Sequence, residues 1–481
     1  MKTSKAFNDH NNYGKVCVLG WGMTGQAVTE YLSRLIGQRV DELTVYTGRT
    51  KTDDITEERL KKSGVRVING EEVSGSYDIC ITSPGISFRS GFYKSAEKCS
   101  EEIISEPELA FRENPNLWIG VTGTSGKTTI VALLTEIIRN SGQKAVPAGN
   151  EWYPIVSEKA LRTSDDEWLV AELSHSQLFN APTLHPRIAV LTNISEDHQD
   201  WHRSMESYAK AKEQIFANSD NNDLAIVCSD DSYSREIIKH LDDAGLRVCV
   251  ARESDCGRDN AAFTENGRLM VRLNGQLHNL IHYSQLKLPG ECNRLDALAA
   301  AAAALELGVQ DEVIRTTLKE FEPFDHRNVP CGDAYGIHFV DNAKSGNPAK
   351  AEAAIRMYGT GELVLIAGGS DAGMDIESLT EAASGICTGV AIFGPAGRRY
   401  AEGFRRAAER EGAVLKDIRP VATLEEAFRA AVDMAAPGQT VLLSPGDKWA
   451  PEYKSVYEEG ELFVKLVEQL KLEERDGKKR R

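Results

Sequence analysis

The segment Gly123-Thr124-Ser125-Gly126-Lys127-Thr128-Thr129 carries the most specific chemistry in this sequence. It joins an unbroken apolar run, Trp118–Thr122, to an amphipathic stretch that begins at Ile130. Glycines at a strand-to-helix junction let the backbone wrap so that several N–H groups face one anion. The helix N-terminus adds positive potential, and a lysine beside it reaches the outer phosphates of a nucleotide. Thr128 stands where a hydroxyl can ligate Mg²⁺. Val121 occupies the place of the first glycine in the strict phosphate-loop spelling. The run Gly-Lys-Thr-Thr nevertheless separates this junction from an ordinary strand–turn–helix, and nucleoside triphosphate binding is expected here.

Two further segments place acids and imidazoles after apolar runs: Ala171-Glu172-Leu173-Ser174-His175-Ser176-Gln177-Leu178, and Thr192-Asn193-Ile194-Ser195-Glu196-Asp197-His198-Gln199-Asp200. In a parallel sheet the carboxyl ends of the strands share one edge, which is where ligands bind. Glu172 and His198 at that edge could hold Mg²⁺ against the phosphates, hard oxygen donors suiting that ion better than imidazole does. Taken singly, Glu172 also reads as a carboxylate favoured by a helix dipole, and His198 as a capping or core histidine. Nearer the start, Gly20-Trp21-Gly22-Met23-Thr24-Gly25 follows the run Val16–Leu19. A dinucleotide site would want an acidic residue at the end of the next strand. That strand ends Val45-Tyr46-Thr47-Gly48, so a phosphate-bearing ligand other than NAD fits better, with Ser83-Pro84-Gly85-Ile86 as a second loop on the same edge. A glycine turn serving only helix–strand packing is the alternative.

The elements that must position these residues are short apolar runs alternating with helical stretches. Val16–Leu19, Leu43–Tyr46, Ile79–Thr82, Trp118–Thr122, Leu169–Leu173, Ile188–Thr192, Ala225–Cys228, Leu363–Ala367, Gly389–Phe393 and Val441–Leu443 read as strands. Unbroken apolar strands separated by helices imply parallel sheets covered on both faces, an α/β fold. A polar turn at Glu113–Gly120 and the stretch Glu322-Pro323-Phe324-Asp325, after the alanine-rich helix Asn293–Gly308, suggest three domains: 1–117, 118–323 and 324–481. The polar, glycine-containing segment 253–274 reads as a hairpin or an irregular excursion.

Composition narrows the function. The 481 residues carry 56 basic and 72 acidic side chains, a net charge of −16, which offers no broad basic surface for nucleic acid. The basic end, Lys478 to Arg481, reads as a solvated tail. The longest apolar run, Ala297–Leu305, is well short of the ~20 residues of a membrane span. The N-terminal segment lacks the apolar centre of a signal peptide. Nine scattered cysteines without a CxxC pair suggest reduced thiols in a cytoplasm and no zinc framework.

Taken together, Gly123–Thr129, Glu172–Leu178, Thr192–Asp200, Tyr208-Ala209-Lys210-Ala211-Lys212, His326-Arg327 and Lys344 within Asp341–Asn347 resemble the Mur ligase family, the ATP-dependent amide ligases of peptidoglycan precursor assembly. The match runs through nearly the whole chain. Within the family, the glycine-rich start, Ser83–Ile86 and Leu443-Ser444-Pro445 look most like the branch that joins D-glutamate to UDP-N-acetylmuramoyl-L-alanine. The resemblance implies a Rossmann-like N-terminal domain for the UDP-linked substrate, a central phosphate-loop ATPase domain, and a Rossmann-like C-terminal domain for the amino-acid acceptor. It assigns Gly123 to Thr129, Asn293 and Arg327 to ATP, and Thr128, Glu172, His198 and a carbamylated Lys212 to two Mg²⁺ ions. Gly22, Met23, Thr24, Ser83, Gly85, Asn150 and Ser444 are assigned to the substrate. Lys127, Lys212, His198 and Lys344 are assigned to the chemistry, with His326 and Arg327 steadying nucleotide and phosphoryl group. Lys210, two residues from Lys212, should face elsewhere.

The implied reaction phosphorylates a carboxylate with ATP, and an amine then displaces phosphate from the acyl phosphate. Cations neutralise the developing charge, and the third domain closes to keep water out. The departures cluster late in the chain. Asn342 and Gly346 replace an aspartate and a threonine of the family pattern, Ala372 a lysine, and Trp449 a serine; Asp296 replaces a second asparagine of the adenine site. Three readings follow: a working D-glutamate ligase with compensation, from Lys448 for instance; a relative that ligates another amine; and an ATPase or kinase with a regulatory role. The intact Lys127, Thr128, Glu172, His198 and Lys212 argue against an inactive relative. Nucleic acid and membrane insertion are not expected, and a monomer is compatible with all three readings.

Overall fold

The computed structural model describes residues 12–478 apart from 51, 71, 151, 153, 157–163, 165, 196–198, 229–230, 288–289 and 323–325. The chain divides into two compact units, 1–286 with 293–320 and 287–292 with 321–481. It is an α/β protein built on three sheets.

The first sheet contains β1 (Gly14–Leu19), β2 (Val40–Tyr46), β3 (Val65–Ile68), β4 (Tyr77–Thr82) and β5 (Ser100–Ser105), in the order β3-β2-β1-β4-β5. All its pairings are parallel. The second contains β6 (Trp118–Thr122), β7 (Lys144–Gly149), β8 (Glu167–Glu172), β9 (Ile188–Leu191), β10 (Leu224–Val227), β11 (Val248–Ala251), β12 (Ala261–Glu265), β13 (Arg268–Leu273) and β14 (Gln276–His282). Its order is β14-β13-β12-β11-β10-β9-β6-β8-β7. Both of these sheets lie in the first unit. The second unit holds β15 (Val329–Ala334), β16 (Ile337–Asp341), β17 (Leu363–Gly368), β18 (Cys387–Phe393), β19 (Asp417–Pro420) and β20 (Thr440–Leu443), in the order β15-β16-β20-β17-β18-β19.

Every apolar run read as a strand is one, with ends displaced by a few residues at most. β3, β5, β7, β11, β15, β16 and β19 escaped that reading for local reasons. β5 is Ser-Glu-Glu-Ile-Ile-Ser, half polar. β7, β15 and β19 contain Pro147, Pro330 and Pro420. A proline cannot donate to a ladder, and all three strands lie at sheet edges. The excursion near 253–274 resolves into antiparallel β12–β13–β14, reaching on to His282. Its two turns are Asn266-Gly267 and Asn274-Gly275, each with both φ angles positive, the conformation that favours Asn-Gly in tight hairpins. The alanine-rich helix is Glu291–Glu306, with Ala297 to Ala304 wholly buried; a helix apolar all round belongs inside a core. All nine cysteines are free thiols. Among the described residues no helix is long and apolar enough to cross a membrane.

In each sheet the strand order reverses where the sequence had placed a loop of interest: beside β1 and β4, beside β6, and between β17 and β20. A crevice forms at such a point because the two flanking connections leave for opposite faces.

Candidate active site

The phosphate loop leaves β6 between β8 and β9. Gly123 has φ 144°, and a Cβ there would stand 1.8 Å from Thr192 Oγ1, so only glycine fits. Gly126 caps the helix Lys127–Asn140, with Thr128 and Thr129 buried in its first turn. The chain after β9 braces the loop. Thr124 N donates to Asn193 O (2.9 Å), Ser125 N donates to Asn193 Oδ1 (3.1 Å), and Thr192 Oγ1 donates to Ser125 O. Lys127 Nζ folds back onto Gly123 O (2.9 Å) and Thr124 O (3.1 Å).

Glu172 ends β8 at the same edge and is 1% exposed. Its Oε1 accepts from Asn150 Nδ2 at 3.1 Å. Its Oε2 is buried with no hydrogen-bond partner among the described residues. A buried carboxylate oxygen left unmatched is costly unless a cation or donor completes it. That open position, with the Thr128 hydroxyl on the neighbouring loop, fits a hard divalent cation such as Mg²⁺. Lys212 is equally buried. Its Nζ donates to Gly123 O at 2.7 Å and lies 4.5 Å from the centre of the Tyr208 ring. Lys127 and Lys212, 85 residues apart in sequence, therefore meet at one carbonyl oxygen. Lys210 points to solvent, as its spacing predicts. His198 lies outside the described residues. A separate group with metal-ligand spacing, His185, Asp220 and Asp223, is joined by its own hydrogen bonds.

Asn293 stands in the first turn of the alanine-rich helix. Three residues on, Asp296 brings its carboxylate to 2.3 Å from where a Gly126 Cβ would be, so this turn abuts the phosphate loop. In the first sheet, Gly22 caps the helix Met23–Ser33. Met23 is 75% exposed, and Thr24 follows it. Gly25 is required by close approach, since a Cβ would lie 2.0 Å from Gly20 O. Ser83 and Gly85 form the neighbouring loop, and Ser83 Oγ is buried without a hydrogen-bond partner among the described residues.

In the second unit, His326 Nδ1 and Asp341 Oδ2 are 2.6 Å apart, and Lys344 Nζ donates to Tyr457 Oη at 2.6 Å. Lys344 N donates to His326 O (3.1 Å), and Arg327 follows His326. Ser444 is fully buried. Its hydroxyl donates to Ser345 Oγ (2.9 Å) and accepts from Asn342 Nδ2 (3.0 Å). Asp447 Oδ1 accepts from Ala372 N (3.0 Å) and Lys448 N (2.8 Å), and Arg399 Nη2 reaches its Oδ2 at 3.4 Å. Burial pushes the Asp447 pKa up, while those two amides and Arg399 pull against it. Trp449 stands partly exposed beside it.

Sequence reasoning passed over Asn193 and Tyr208, which hold the phosphate loop, although both lie inside segments it singled out. It also missed the buried contact of His202 Nε2 with His175 Nδ1 (2.7 Å). Glu106 and Glu108 gave only the signal of acids in a helix's first turn.

Residues 121–304 match the family model for the Mur ligase middle domain. The chain is 30% identical over 464 residues to the UDP-N-acetylmuramoylalanine–D-glutamate ligase of Thermoanaerobacter sp. strain X514, covering 95% of this chain and 98% of that one. It is 30% identical over 475 residues to the enzyme of the same name from Streptococcus agalactiae serotype Ia, covering 98% and 100%. Among solved structures it resembles the UDP-N-acetylmuramate–alanine ligase MurC of Thermotoga maritima, with TM-score 0.56, 19% identity, and 95% and 99% of the chains covered. It also resembles the MurF ligase of the same organism in complex with ADP, with TM-score 0.56, 17% identity, and 95% and 96% covered.

Proposed function

The chain belongs to the Mur ligase family, and from that premise we propose how its own residues carry the family's reaction. It is an ATP-dependent, ADP-forming carboxylate–amine ligase that adds D-glutamate to UDP-N-acetylmuramoyl-L-alanine in peptidoglycan precursor synthesis. The observation that carries the residue assignment is the meeting of Lys127, Lys212 and Glu172 around a glycine loop at the turning point of the nine-stranded sheet.

The backbone amides of Gly123 to Thr129 cradle the ATP phosphates, and Lys127 exchanges its two carbonyl contacts for the outer phosphate oxygens. Thr128, Glu172, His198 and Lys212, the last as its carbamate, would hold two Mg²⁺ ions, which would supply positive charge against the transferring phosphoryl group. Asn293 and Arg327 serve the nucleotide, while His326 and Lys344 steady the phosphoryl group. Gly22, Met23, Thr24, Ser83 and Gly85 hold the UDP portion, where the unmatched Ser83 hydroxyl is ready to donate. Asn150 holds the muramoyl portion, and Ser444 orders the acceptor loop. The alanyl carboxylate attacks the γ-phosphorus of ATP, releasing ADP and forming an acyl phosphate. The acceptor amine then attacks the acyl carbon, and the tetrahedral intermediate expels phosphate as the nitrogen loses its proton. Cytoplasmic placement belongs to the same proposal, because ATP and UDP-linked precursors are found there.

Phosphate release from ATP tests this reading. It should require both UDP-N-acetylmuramoyl-L-alanine and D-glutamate. Because Gly346, Ala372 and Trp449 depart from the family pattern, D-glutamate is measured against a panel of other amines. Turnover that needs neither substrate sinks the assignment, and a preference for a different amine redirects it.

A further inference from the structure

Glu106 and Glu108 begin the helix Glu106–Glu113, directly after β5, and are 1% and 0% exposed. Both reach out of the first sheet's domain to chain segments of the second sheet, and their surroundings differ in kind. Glu108 is ion-paired, with Arg112 Nε at 2.7 Å. It also accepts from Thr183 N, Thr183 Oγ1 and Leu184 N, in the turn beyond Phe179. Glu106 meets neutral donors. Val156 N donates to its Oε1 at 2.7 Å, and the Ile155 amide and the Gln177 side chain lie near enough to favour its charged form. Gln177 uses its own Oε1 to accept from Ser174 N and Ser174 Oγ, both at 2.9 Å, which leaves its NH₂ for Glu106.

These donors flank Glu172. Ser174 lies two residues beyond it. On the other side, Asn150 bonds it twice, through Nδ2 to Oε1 and through N to the carbonyl oxygen, each at 3.1 Å. Gly149 packs so closely on that carbonyl that a Cβ would stand 2.1 Å away. Gly149 and Asn150 thus touch Glu172, and Val156, six residues beyond Asn150, touches Glu106.

We propose that Glu106 is a positioning residue for Glu172: one carboxylate grips both segments that fix the metal-facing side chain and ties them to the domain carrying the Gly20 and Ser83 loops. The inference rests on the assignment of Glu172 to Mg²⁺ made above. A carboxylate suits the place, because the Val156 amide bonds it and the Ile155 amide and Gln177 side chain favour its charged form. A glutamine there would turn its own NH₂ toward donors and match fewer of them. Burial pushes the Glu106 pKa up to about 7, while the Val156 and Ile155 amides and the Gln177 side chain pull against it.

The test uses the full-length protein and three variants: Glu106→Gln, Gln177→Ala and, as a comparison, Glu108→Gln. Phosphate release is titrated with Mg²⁺ at saturating ATP and substrates. Melting is followed with a non-hydrolysable ATP analogue, with and without Mg²⁺. Loss of a group that orients a metal ligand costs about 10-fold or more in metal affinity. Glu106→Gln and Gln177→Ala should therefore raise the Mg²⁺ half-saturation about 10-fold while KM for the amino acid changes less than about twofold, and should shrink the Mg²⁺-dependent melting increment. Glu108→Gln should lower the melting temperature of the free protein and leave the Mg²⁺ half-saturation within about twofold. Wild-type Mg²⁺ response in the two Glu106-network variants overturns the proposal, and so does an equal loss in Glu108→Gln, which would mean general loosening. If Glu106→Gln does not fold, Gln177→Ala decides. A wild-type protein inactive as a ligase counts against the proposed function instead, and the melting comparison still reads Mg²⁺.

Discussion

The carboxyl edge of the nine-stranded sheet and that of the six-stranded sheet each hold a reversal of strand order and differ in how their polar groups are bonded. At the first, Glu172 keeps one buried oxygen unmatched, and Lys127 and Lys212 lean on a backbone carbonyl. At the second, Asn342, Ser345 and Ser444 bond one another, and Asp447 accepts two amides beside Arg399. An unmatched buried oxygen is tolerated where a ligand completes it, and a closed set holds a loop in shape before any ligand arrives. Of the departures from the family pattern, Asn342, Gly346, Ala372 and Trp449 lie in the second unit, whereas Asp296 lies beside the phosphate loop in the first. Asn342, whose type breaks the family pattern, is one of the bonded partners, and Ala372 contributes only its backbone. The edge proposed for the nucleotide thus keeps open positions, whereas the edge proposed for the acceptor carries internal bonds that include Asn342 and the Ala372 amide.

The largest effects should come from the open edge. Lys127→Ala should reduce ATP-dependent phosphate release by about 10³-fold or more. Lys212→Ala should nearly abolish ligation and recover in part when a short carboxylate is supplied; an unchanged rate would remove that lysine from the chemistry. Glu172→Gln, which leaves the shape and takes the charge, should cost about 10²-fold in turnover with a higher Mg²⁺ requirement. An unaltered Mg²⁺ titration would mean the unmatched oxygen serves something else.

At the closed edge a smaller and more selective effect is expected. Asp447→Asn should raise KM for the acceptor amino acid about 10-fold, the scale of one lost charge-assisted bond, with KM for ATP unchanged. If both constants move together, the two regions are not functionally separate. The smallest effect concerns stability. Glu459, fully buried in the second unit, has its pKa pushed from 4.5 up to about 7 by burial, against one hydrogen bond from Ala450 N. Its folded pKa is the higher one, so the unfolded chain ionises first. This group's contribution therefore falls as pH rises from about 4.5 to 7 and is level above that, on the order of 3 kcal/mol at most. Glu459→Gln should melt about a few degrees above wild type at pH 7.5 and close to it at pH 4.5. A difference that does not widen with pH would locate the cost elsewhere.

Much was legible along the chain because it is local. Unbroken apolar runs specify buried parallel strands, and Gly123 to Thr129 specify an anion-binding turn, since each depends on residues within one or two turns of backbone. The family resemblance chose Lys212, and helical spacing put Lys210 on another face. The proline-bearing edge strands were not legible, because an edge is a fact about neighbours. Nor was the role of Asn193, whose side chain and carbonyl brace a loop some 70 residues earlier in sequence.

By itself the sequence determined the α/β class and the phosphate loop, which follow from periodicity and short-range backbone geometry, while the residues expected around the loop came from the family resemblance. Only the tertiary structure decided which Glu172 oxygen stays unmatched, that two distant lysines meet at one carbonyl, and that Glu106 stands behind Glu172. Burial and hydrogen-bond saturation depend on what the rest of the chain brings to a point in space, and no window of sequence contains that information.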